Sequence, residues 1–388
     1  MRRAALIAFL LAARSALAQP VPPPAGAPAP RDLDQGRTTA PPEGGVPLVS
    51  PPAVPAPAHP RRWFVIPVVS YLTETGLGGG ASAGLHLHVE GASRPTSVFA
   101  TALYTTERQG LVDVAVDATR PSGVVLGARA RALHYPDRFY GIGPDTQSSQ
   151  MEHFTRRSIE LVASAELPIP GGHGLRAGPR LDLRAEEITD KDAGRQLAAG
   201  GVPGADGSSS MAAGASATWD TRDGPFWPSR GSLVQAWVVF APEETSRTGG
   251  FSRGVLELRH FAPLGGGRVL GLHAYGERAS GQVPFTLLPR LGNTRFLRGI
   301  REGRYRDHVV WALQSELRSP LFWRISGTAF AAVGDVAPRI EAIRIGDPKL
   351  AGGAGLRYRL TDEGANIRVD VAASRFGVQL YVLVLEAF

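Results

Sequence analysis

A period-two alternation of polar and apolar side chains runs from about residue 61 to the C-terminus, and it constrains the fold more than any other feature. The segment RYRDHVVWALQSELR is typical. One face carries the polar residues Arg304, Arg306, His308, Gln314, Glu316 and Arg318. The opposite face carries Tyr305, Val309, Trp311, Leu313 and Leu317. Successive side chains of a β-strand point to opposite sides of the sheet, so the pattern predicts strands with two chemically different faces.

Such strands fit either a soluble β-sandwich, which buries the apolar faces, or a membrane β-barrel, which turns them towards lipid. Three features favour the barrel. The polar faces combine arginine with aspartate or glutamate, as in LRAGPRLDLRAE. The segments have about 10 to 14 residues, close to what a tilted membrane-crossing strand needs. Aromatic residues lie near segment ends, and the chain ends on Phe388, which we interpret as a C-terminal insertion signal. The sequence therefore predicts an all-β transmembrane antiparallel barrel.

The alternating segments number sixteen, and bacterial single-chain barrels have an even number of strands. The predicted strands cover residues 63–72, 78–89, 95–106, 109–119, 123–137, 152–167, 173–186, 209–220, 230–242, 250–263, 267–280, 304–319, 323–335, 349–361, 365–375 and 378–388. With a periplasmic N-terminus, the odd strands run outward. The turns at 319–322 and 223–231 then lie in the periplasm, and residues 281–303 form the sixth external loop, one of the longest.

The first 60 residues are not barrel-like. Residues 1–18 have a basic start, an apolar run and a small-residue end, which together predict a signal peptide cleaved before Gln19. Residues 19–60 hold 14 of the 32 prolines and almost no large apolar side chains. That composition cannot bury a core, so it predicts a disordered periplasmic linker. The barrel is expected to cover residues 61–388 and to lie in the bacterial outer membrane.

Composition and motifs indicate no enzyme, metal site or nucleic-acid contact. There is no cysteine, and loss of the signal peptide's three arginines lowers the formal net charge from +7 to +4. Zinc and phosphate-loop spacings are missing. His86 and His88 share a strand face but have no third ligand. Serine, histidine and aspartate occur without a Gly-x-Ser-x-Gly elbow. We therefore expect no catalytic residue, no metal and no cofactor.

Four stretches together resemble the BamA/TamA family of outer-membrane barrels, also known as bacterial surface antigens. LRGIREGRYRD (residues 297–307) resembles the Val-Arg-Gly-aromatic loop motif, with Ile300 in place of the aromatic residue. RFYGIGPDT resembles a Tyr-Gly-Ile-Gly segment, WDTRDGPFWPSRGS an Asp-Thr-Arg-Asp turn, and GGAGLRYRL with the terminal EAF the closing strands. The corresponding structural residues are Tyr140, Gly141, Gly143, Asp220, Arg222, Asp223 and Gly231. The resemblance covers residues 61–388.

The resemblance implies that the long external loop folds back into the lumen, where an arginine meets acidic groups on the wall. Carried over, Arg298 is that arginine, and Gly299 lets the tip of the loop turn. Glu316 lies on the predicted lumen face of the following strand and is its expected partner. Asp335 is a second candidate, although alternation places it opposite to Thr328, and the family's acidic position there could instead align with Ala332.

The family resemblance implies a non-enzymatic barrel that helps to insert or translocate protein, or another polymer, across the outer membrane. Its expected partners are outer-membrane lipids, lipopolysaccharide, an unfolded protein client and the machinery that assembles the barrel itself. Family members usually carry periplasmic polypeptide-transport-associated (POTRA) domains, and the proline-rich segment cannot form one. A porin-like diffusion channel is the alternative function. A barrel esterase is a third, for which a Ser–His pair at the outer rim would be needed.

Overall fold

Sixteen antiparallel strands close into one barrel in a computed structural model that describes residues 61–73, 75–87, 89–90, 96–224, 227–359 and 366–384. The barrel strands are β1 (Arg61–Leu72), β2 (Gly76–Leu87), β3 (Thr96–Thr105), β4 (Gly110–Thr119), β5 (Val125–Phe139), β6 (Glu152–Pro168), β7 (Leu175–Thr189), β8 (Ser208–Asp220), β9 (Gly231–Ala241), β10 (Phe251–Gly265), β11 (Arg268–Gly281), β12 (Val309–Phe322), β13 (Ile325–Ala337), β14 (Lys349–Arg359), β15 (Asn366–Ser374) and β16 (Gly377–Val384). The predicted fold is confirmed. The predicted signal peptide (1–18), the linker (19–60) and Phe388 lie outside the described residues.

The barrel wall carries apolar side chains on its outer face and charged side chains on its inner face, the reverse of a water-soluble protein. Ile159, Phe240 and Leu350 point outward and are 69%, 58% and 63% exposed. Arg131 and Glu257 point inward and are only 5% and 1% exposed. An exposed apolar band around a charged interior is what a lipid-facing barrel requires. No helix in the described part of the chain is long and apolar enough to span a membrane.

The two ends of the barrel differ in their connections. Two-residue turns join β10 to β11 and β12 to β13 at one end. Loops of residues 140–151, 190–207, 282–308 and 338–348 emerge at the other end, and a single α-helical turn, α1 (Gln196–Ala199), lies in the second of them. Transmembrane barrels have short periplasmic turns and longer external loops, so the end with the long loops corresponds to the predicted outer end.

The loop of residues 282–308, here called the plug loop, folds into the lumen. Every residue from 283 to 307 is buried or partly buried. Its apolar side chains enter two separate cores. Phe285, with Leu287 and Leu288, packs in one of them, whereas Phe296, with Leu291, Leu297, Ile300 and Tyr305, packs in the other. A loop on the outer surface could not be buried along its whole length, so the predicted placement in the lumen is confirmed.

One predicted strand boundary is wrong because of this loop. The strand predicted to begin at residue 304 begins at Val309. Tyr305 and Arg306 instead pair with Leu291 and Arg290 in a two-residue ladder within the plug loop. The alternation continues through residues 304–308 because short extended segments have the same period wherever they lie.

The barrel closes where its first and last strands meet, a junction called the seam here. Among the described residues, β1 pairs with β16 at Tyr71–Val382 and Leu72–Tyr381. On its other side, β1 pairs with β2 along its entire length. The backbone NH of Thr73 also donates to the carbonyl of Leu380, at 3.3 Å. The described contacts thus join the outer end of β1 to residues 380–382 of β16.

Candidate functional site

Arg298, at the tip of the plug loop, is bound between two carboxylates of the barrel wall. Its Nη2 lies 2.6 Å from Oε2 of Glu316 on β12, and its Nη1 lies 2.6 Å from Oδ2 of Asp370 on β15. The guanidinium stacks on the Phe330 ring of β13, 3.5 Å from the ring centroid. None of the three charged side chains is exposed. Such charge-assisted pairs are among the stronger hydrogen bonds in proteins. We call this group the latch.

The backbone at the tip of the loop is shaped for this contact. Asn293 accepts hydrogen bonds from the NH groups of Arg295 and Phe296, which starts the turn. Gly299 has φ +106°, a left-handed conformation, and a Cβ there would approach the backbone of Ala373 at 3.2 Å. Glycine is suited to both constraints because it has no Cβ. The tip can therefore press directly against β15.

Glycines on β14 make room for the latch. A Cβ on Gly355 would lie 2.0 Å from Oδ1 of Asp370 and 2.6 Å from the carbonyl of Val369. One on Gly353 would lie 2.7 Å from the Phe330 ring. These glycines belong to the GGAGLRYRL stretch, whose resemblance to closing strands therefore has a steric reason here.

Three further arginines surround the two latch carboxylates. Arg318 donates Nε to Glu316 at 2.9 Å, and Arg357 donates Nη1 to Asp370 at 2.5 Å. Arg368 approaches Asp370 at 3.7 Å. Four guanidinium groups thus share two carboxylates, so the formal charge of the cluster is +2. Each carboxylate therefore contributes strongly to the stability of the cluster, because its loss leaves several buried guanidinium groups without a compensating negative charge.

The latch includes one residue that was predicted and one that was not. Glu316 contacts Arg298 as expected. Asp335 does not supply the second carboxylate: it is buried, and its Oδ1 lies 2.6 Å from Nζ of Lys349. Asp370 takes that position. In NIRVDVA, Arg368 and Asp370 alternate with apolar residues, which places Asp370 on a polar face. Alternation does not indicate which strand lies beside the tip of the plug loop.

A second anchor holds the plug loop to β10. Arg295 donates Nη2 to Oε1 of Glu257 at 2.7 Å. The same oxygen also lies 2.6 Å from Arg259 Nη2 and 2.8 Å from His273 Nε2. Phe296, next in the loop, stacks on Tyr275 with ring centroids 4.5 Å apart. No sequence motif marks these residues, and Glu257 is simply one polar position within the predicted strand 250–263.

A third anchor lies at the start of the plug loop. The Thr286 hydroxyl donates to Glu186 of β7, and the Phe285 NH donates to the Pro203 carbonyl at 2.8 Å. The Phe285 ring lies edge-on to Phe139 and Phe154, with centroids 5.2 Å away in each case. Because β7 and β15 lie on opposite sides of the barrel, the plug loop bridges the full width of the lumen.

The Tyr-Gly-Ile-Gly segment lies against the outer side of the plug loop. The Gly143 NH donates to the Arg306 carbonyl at 2.9 Å, and Gly141 and Gly143 both have positive φ. Arg304 stacks over Tyr140, 4.8 Å from the ring centroid. Burial, together with nearby Arg290, lowers the pKa of the Arg306 guanidinium to about 9. Two stretches that resemble the same family are therefore in direct contact.

The Asp-Thr-Arg-Asp turn is a structural network at the end with short turns. Arg222 donates to both oxygens of Asp220, at 2.9 and 3.1 Å, and Asp223 accepts from the Ser229 NH at 2.9 Å. Gly231 has φ +95°, and a Cβ there would lie 2.3 Å from the Thr221 carbonyl oxygen. Hydrogen bonds and close backbone approach thus fix the connection between β8 and β9.

The half of the lumen that faces β4 to β10 is not filled by the plug loop. A cavity there holds about 1260 Å³, including the solvent at its open mouth. Arginines and carboxylates alternate around it, and Arg129, Arg131 and Glu160 are examples. Trp237 lies between Arg180 and Arg253, whose guanidinium carbons are 4.5 and 5.5 Å from the ring centroid. Leu287 of the plug loop also borders the cavity.

Metal-ligand geometry does not occur in the described residues, which bring no three His, Cys, Asp or Glu side chains together for an ion. His86 is buried and pairs through Nδ1 with the Ser97 hydroxyl at 2.8 Å. His88 lies outside the described residues.

Comparison with known proteins relates the chain to solved barrels only through their structures. No family model matches the sequence, and no curated protein matches it. The crystal structure of BamA from Haemophilus ducreyi lacking POTRA domains 1–3 aligns with a TM-score of 0.59 and 11% identity, over 83% of this chain and 70% of that one. The fold is that of the BamA barrel.

CdiB barrels align in the same way. CdiB from Acinetobacter baumannii gives a TM-score of 0.53 and 12% identity over 84% of this chain, and CdiB from Escherichia coli gives 0.54 and 11% over 85%. The chain spans 60% and 63% of the length of these two proteins. At such identities the likeness establishes the architecture, a barrel of the outer-membrane type, and leaves the activity to be argued from the site.

Proposed function

We propose that this protein is an outer-membrane barrel of the BamA/TamA kind that assists insertion or translocation of a protein or other polymer. The observation that carries the proposal is Arg298, which holds the plug loop between Glu316 and Asp370. The seam lies beside this latch, because Tyr381 of β16 pairs with Leu72 on one side and lies opposite Asp370 on the other. In this function the plug loop closes the lumen at rest, and the seam gives a client access to lipid.

The buried contacts of the plug loop favour a barrel that opens when the loop rearranges over a barrel that is permanently open. The tip of the loop is fixed by buried ion pairs, and removing one partner of such a pair costs about 3–5 kcal/mol. Two further anchors, at Glu257 and Glu186, hold the same loop to other strands. Passage through the filled half of the lumen therefore requires a rearrangement of the loop, which a client or partner would have to drive.

Expected partners follow from the surface and the site. The outward apolar band, with side chains such as Phe240 and Leu350, contacts membrane lipids, and the outer rim contacts lipopolysaccharide. An unfolded protein is the proposed client, and the barrel assembly machinery inserts the chain itself. Catalytic residues, metals and cofactors play no part in this function.

Single-channel conductance in a planar bilayer tests the proposal. Wild type is expected to be nearly closed with brief openings, and Arg298→Ala is expected to open. Arg301→Ala is a matched control, because it removes an arginine three residues away in the same loop. A large steady conductance of wild type that Arg298→Ala leaves unchanged would contradict the latch. Insertion activity is tested directly by the rate at which an unfolded barrel client inserts into vesicles. We expect a higher rate with vesicles that contain the protein than with empty vesicles.

A porin-like diffusion channel is the second candidate, and the cavity beside β4 to β10 favours it. The cavity is lined by charged side chains, and Leu287 is the plug-loop residue that borders it in the described part of the chain. A passive channel predicts steady conductance in wild type and uptake of small solutes by vesicles, with no effect on client insertion.

The esterase candidate needs a Ser–His pair at the outer rim, but the buried Ser97–His86 pair lies towards the opposite end of the barrel. Ser232 lies 2.8 Å from His260 Nδ1, but the pair lies near the end with short turns rather than at the outer rim. Among the described residues, no carboxylate contacts that imidazole. Ester hydrolysis by the purified barrel, with and without a serine-reactive inhibitor, tests this candidate.

A further inference from the structure

We infer that Tyr381 couples the plug loop to the barrel seam, so that the loop cannot leave its seat and the seam cannot open independently of each other. The inference rests on the proposed function, in which both elements move. Its structural basis is that one side chain contacts the tip of the loop while its own backbone forms part of the seam.

On the seam side, Tyr381 of β16 pairs with Leu72 of β1. The adjacent residue Leu380 accepts from the Thr73 NH, and its own NH donates to the Thr73 hydroxyl at 3.0 Å. These contacts hold residues 380–382 of β16 against the outer end of β1. An outward displacement of β16 at this position would break these contacts with β1.

On the plug side, the Tyr381 hydroxyl accepts a hydrogen bond from the Gly299 NH at 2.8 Å. The Gly299 carbonyl accepts a second hydrogen bond, from the Ser374 hydroxyl at 2.6 Å. Gly299 follows Arg298, whose partner Asp370 is directly opposite Tyr381 across β15 and β16. The tip of the plug loop therefore binds a cross-strand pair, one member of which belongs to the seam.

Burial makes this hydrogen bond costly to break. Tyr381 is only 2% exposed and packs with Leu72, Phe330 and Leu383. A buried backbone NH that loses its acceptor without gaining water is penalised. If β16 moves outward, Gly299 loses that acceptor. If the plug loop leaves, β16 loses a contact that fixes its inner face. Thermodynamic linkage requires that the two effects be equal.

A purely structural role for Tyr381 would depend on its ring and not on its hydroxyl. Tyr381→Phe keeps the ring and removes only the acceptor, so it separates the two roles. Ser374→Ala is the matched control, because it removes a hydrogen bond to the same glycine from β15, which does not border the seam. Heat-induced unfolding followed on gels verifies that all variants form barrels.

The test uses the full chain, which contains no cysteine of its own. Tyr71→Cys with Val382→Cys places a disulfide across the seam, since directly opposed antiparallel residues have a suitable Cα separation. Plug release is read as the open probability in a planar bilayer, before and after the disulfide is reduced in the same membrane. The experiment is done with Tyr381, with Tyr381→Phe and with Ser374→Ala.

We expect the disulfide to lower the open probability about fivefold when Tyr381 is present, the effect of one hydrogen bond. The same lowering is expected with Ser374→Ala, and none with Tyr381→Phe. An equal effect of the disulfide in all three backgrounds would overturn the coupling while leaving the proposed function intact. Failure of the proposed function is seen separately, as an Arg298→Ala barrel that conducts no more than wild type.

Discussion

Arg298 and Asp370 are 72 residues apart in the chain, and their side chains meet at 2.6 Å inside the barrel. Their contact joins a loop that begins after β11 to a strand four further along the wall. Glu316 completes the seat from β12, also at 2.6 Å. These contacts hold an otherwise external loop in the lumen. Removing the side chains that contact the loop should therefore loosen it.

Asp370→Asn is expected to release the tip of the plug loop. The substitution keeps the size of the side chain but leaves Arg298, Arg357 and Arg368 with one carboxylate fewer, at a cost of about 3–5 kcal/mol. The open probability in a bilayer should rise and the unfolding temperature in detergent should fall. Asp335→Asn is the control, because Asp335 pairs with Lys349 and not with the loop. Both substitutions break a buried ion pair and should lower stability, so the open probability separates them: an equal rise in the two variants would contradict the specific role of Asp370.

Arg295→Ala is expected to loosen the second anchor of the plug loop. Arg295 is partly exposed, with a side-chain exposure of 25%, so the effect should be smaller than that of Arg298→Ala. Arg259→Ala removes a different arginine from the same Glu257 oxygen without touching the loop. Conductance measurements should show more frequent brief openings for Arg295→Ala than for Arg259→Ala. The reverse order would mean that Glu257 stabilises the barrel wall and does not anchor the plug loop.

Gly355→Ala is expected to displace Asp370 from the latch. The added Cβ would lie 2.0 Å from Oδ1 of Asp370, and the nearby Val369 carbonyl leaves it no room to shift. Arg298→Ala and Gly355→Ala should therefore give similar conductance, although the glycine never touches the plug loop. Gly276→Ala is the control, because its Cβ would meet nothing closer than 4.0 Å. A closed Gly355→Ala barrel would contradict the steric argument.

Arg344→Ala is expected to loosen a strap across the outer mouth. Arg344 lies 2.9 Å from Asp145, which belongs to a loop on the opposite side of the barrel. Both side chains are largely exposed, so the current noise should rise only modestly, and less at 1 M salt than at 0.1 M. Arg339→Ala, in the same loop, is the control, and equal noise in both variants would count against the strap.

The pH dependence of this strap follows from Asp145. The hydrogen bond from Arg344 holds the pKa of the Asp145 carboxyl below its usual value. A carboxyl with a lowered pKa stabilises the contact at all pH values above its ordinary pKa, and the contribution is lost only as the pH falls through the lowered pKa. Wild-type noise should therefore stay constant between pH 8 and pH 5. A rise in noise within that range would indicate a different titrating group.

Alternation was a reliable guide to the wall and an incomplete one to the lumen. It predicted sixteen strands and placed Gln314, Glu316 and Arg318 on one face, and all three are buried in the lumen. It also extended a strand over Arg304 and Arg306, which belong to the plug loop. The period of two is a property of extended backbone and does not depend on whether the segment lies in the wall or inside it.

The sequence by itself determined the fold class, the two faces of each strand and the loop that carries Arg298. Each depends on local patterns: alternation, segment length and short motifs. The tertiary structure alone decided that Asp370 and not Asp335 completes the latch, and that Tyr381 lies between the plug loop and the seam. Those contacts depend on how far along its strand each residue lies and on where that strand lies around the barrel. Strand register and closure of the barrel set both, and alternation specifies only the face.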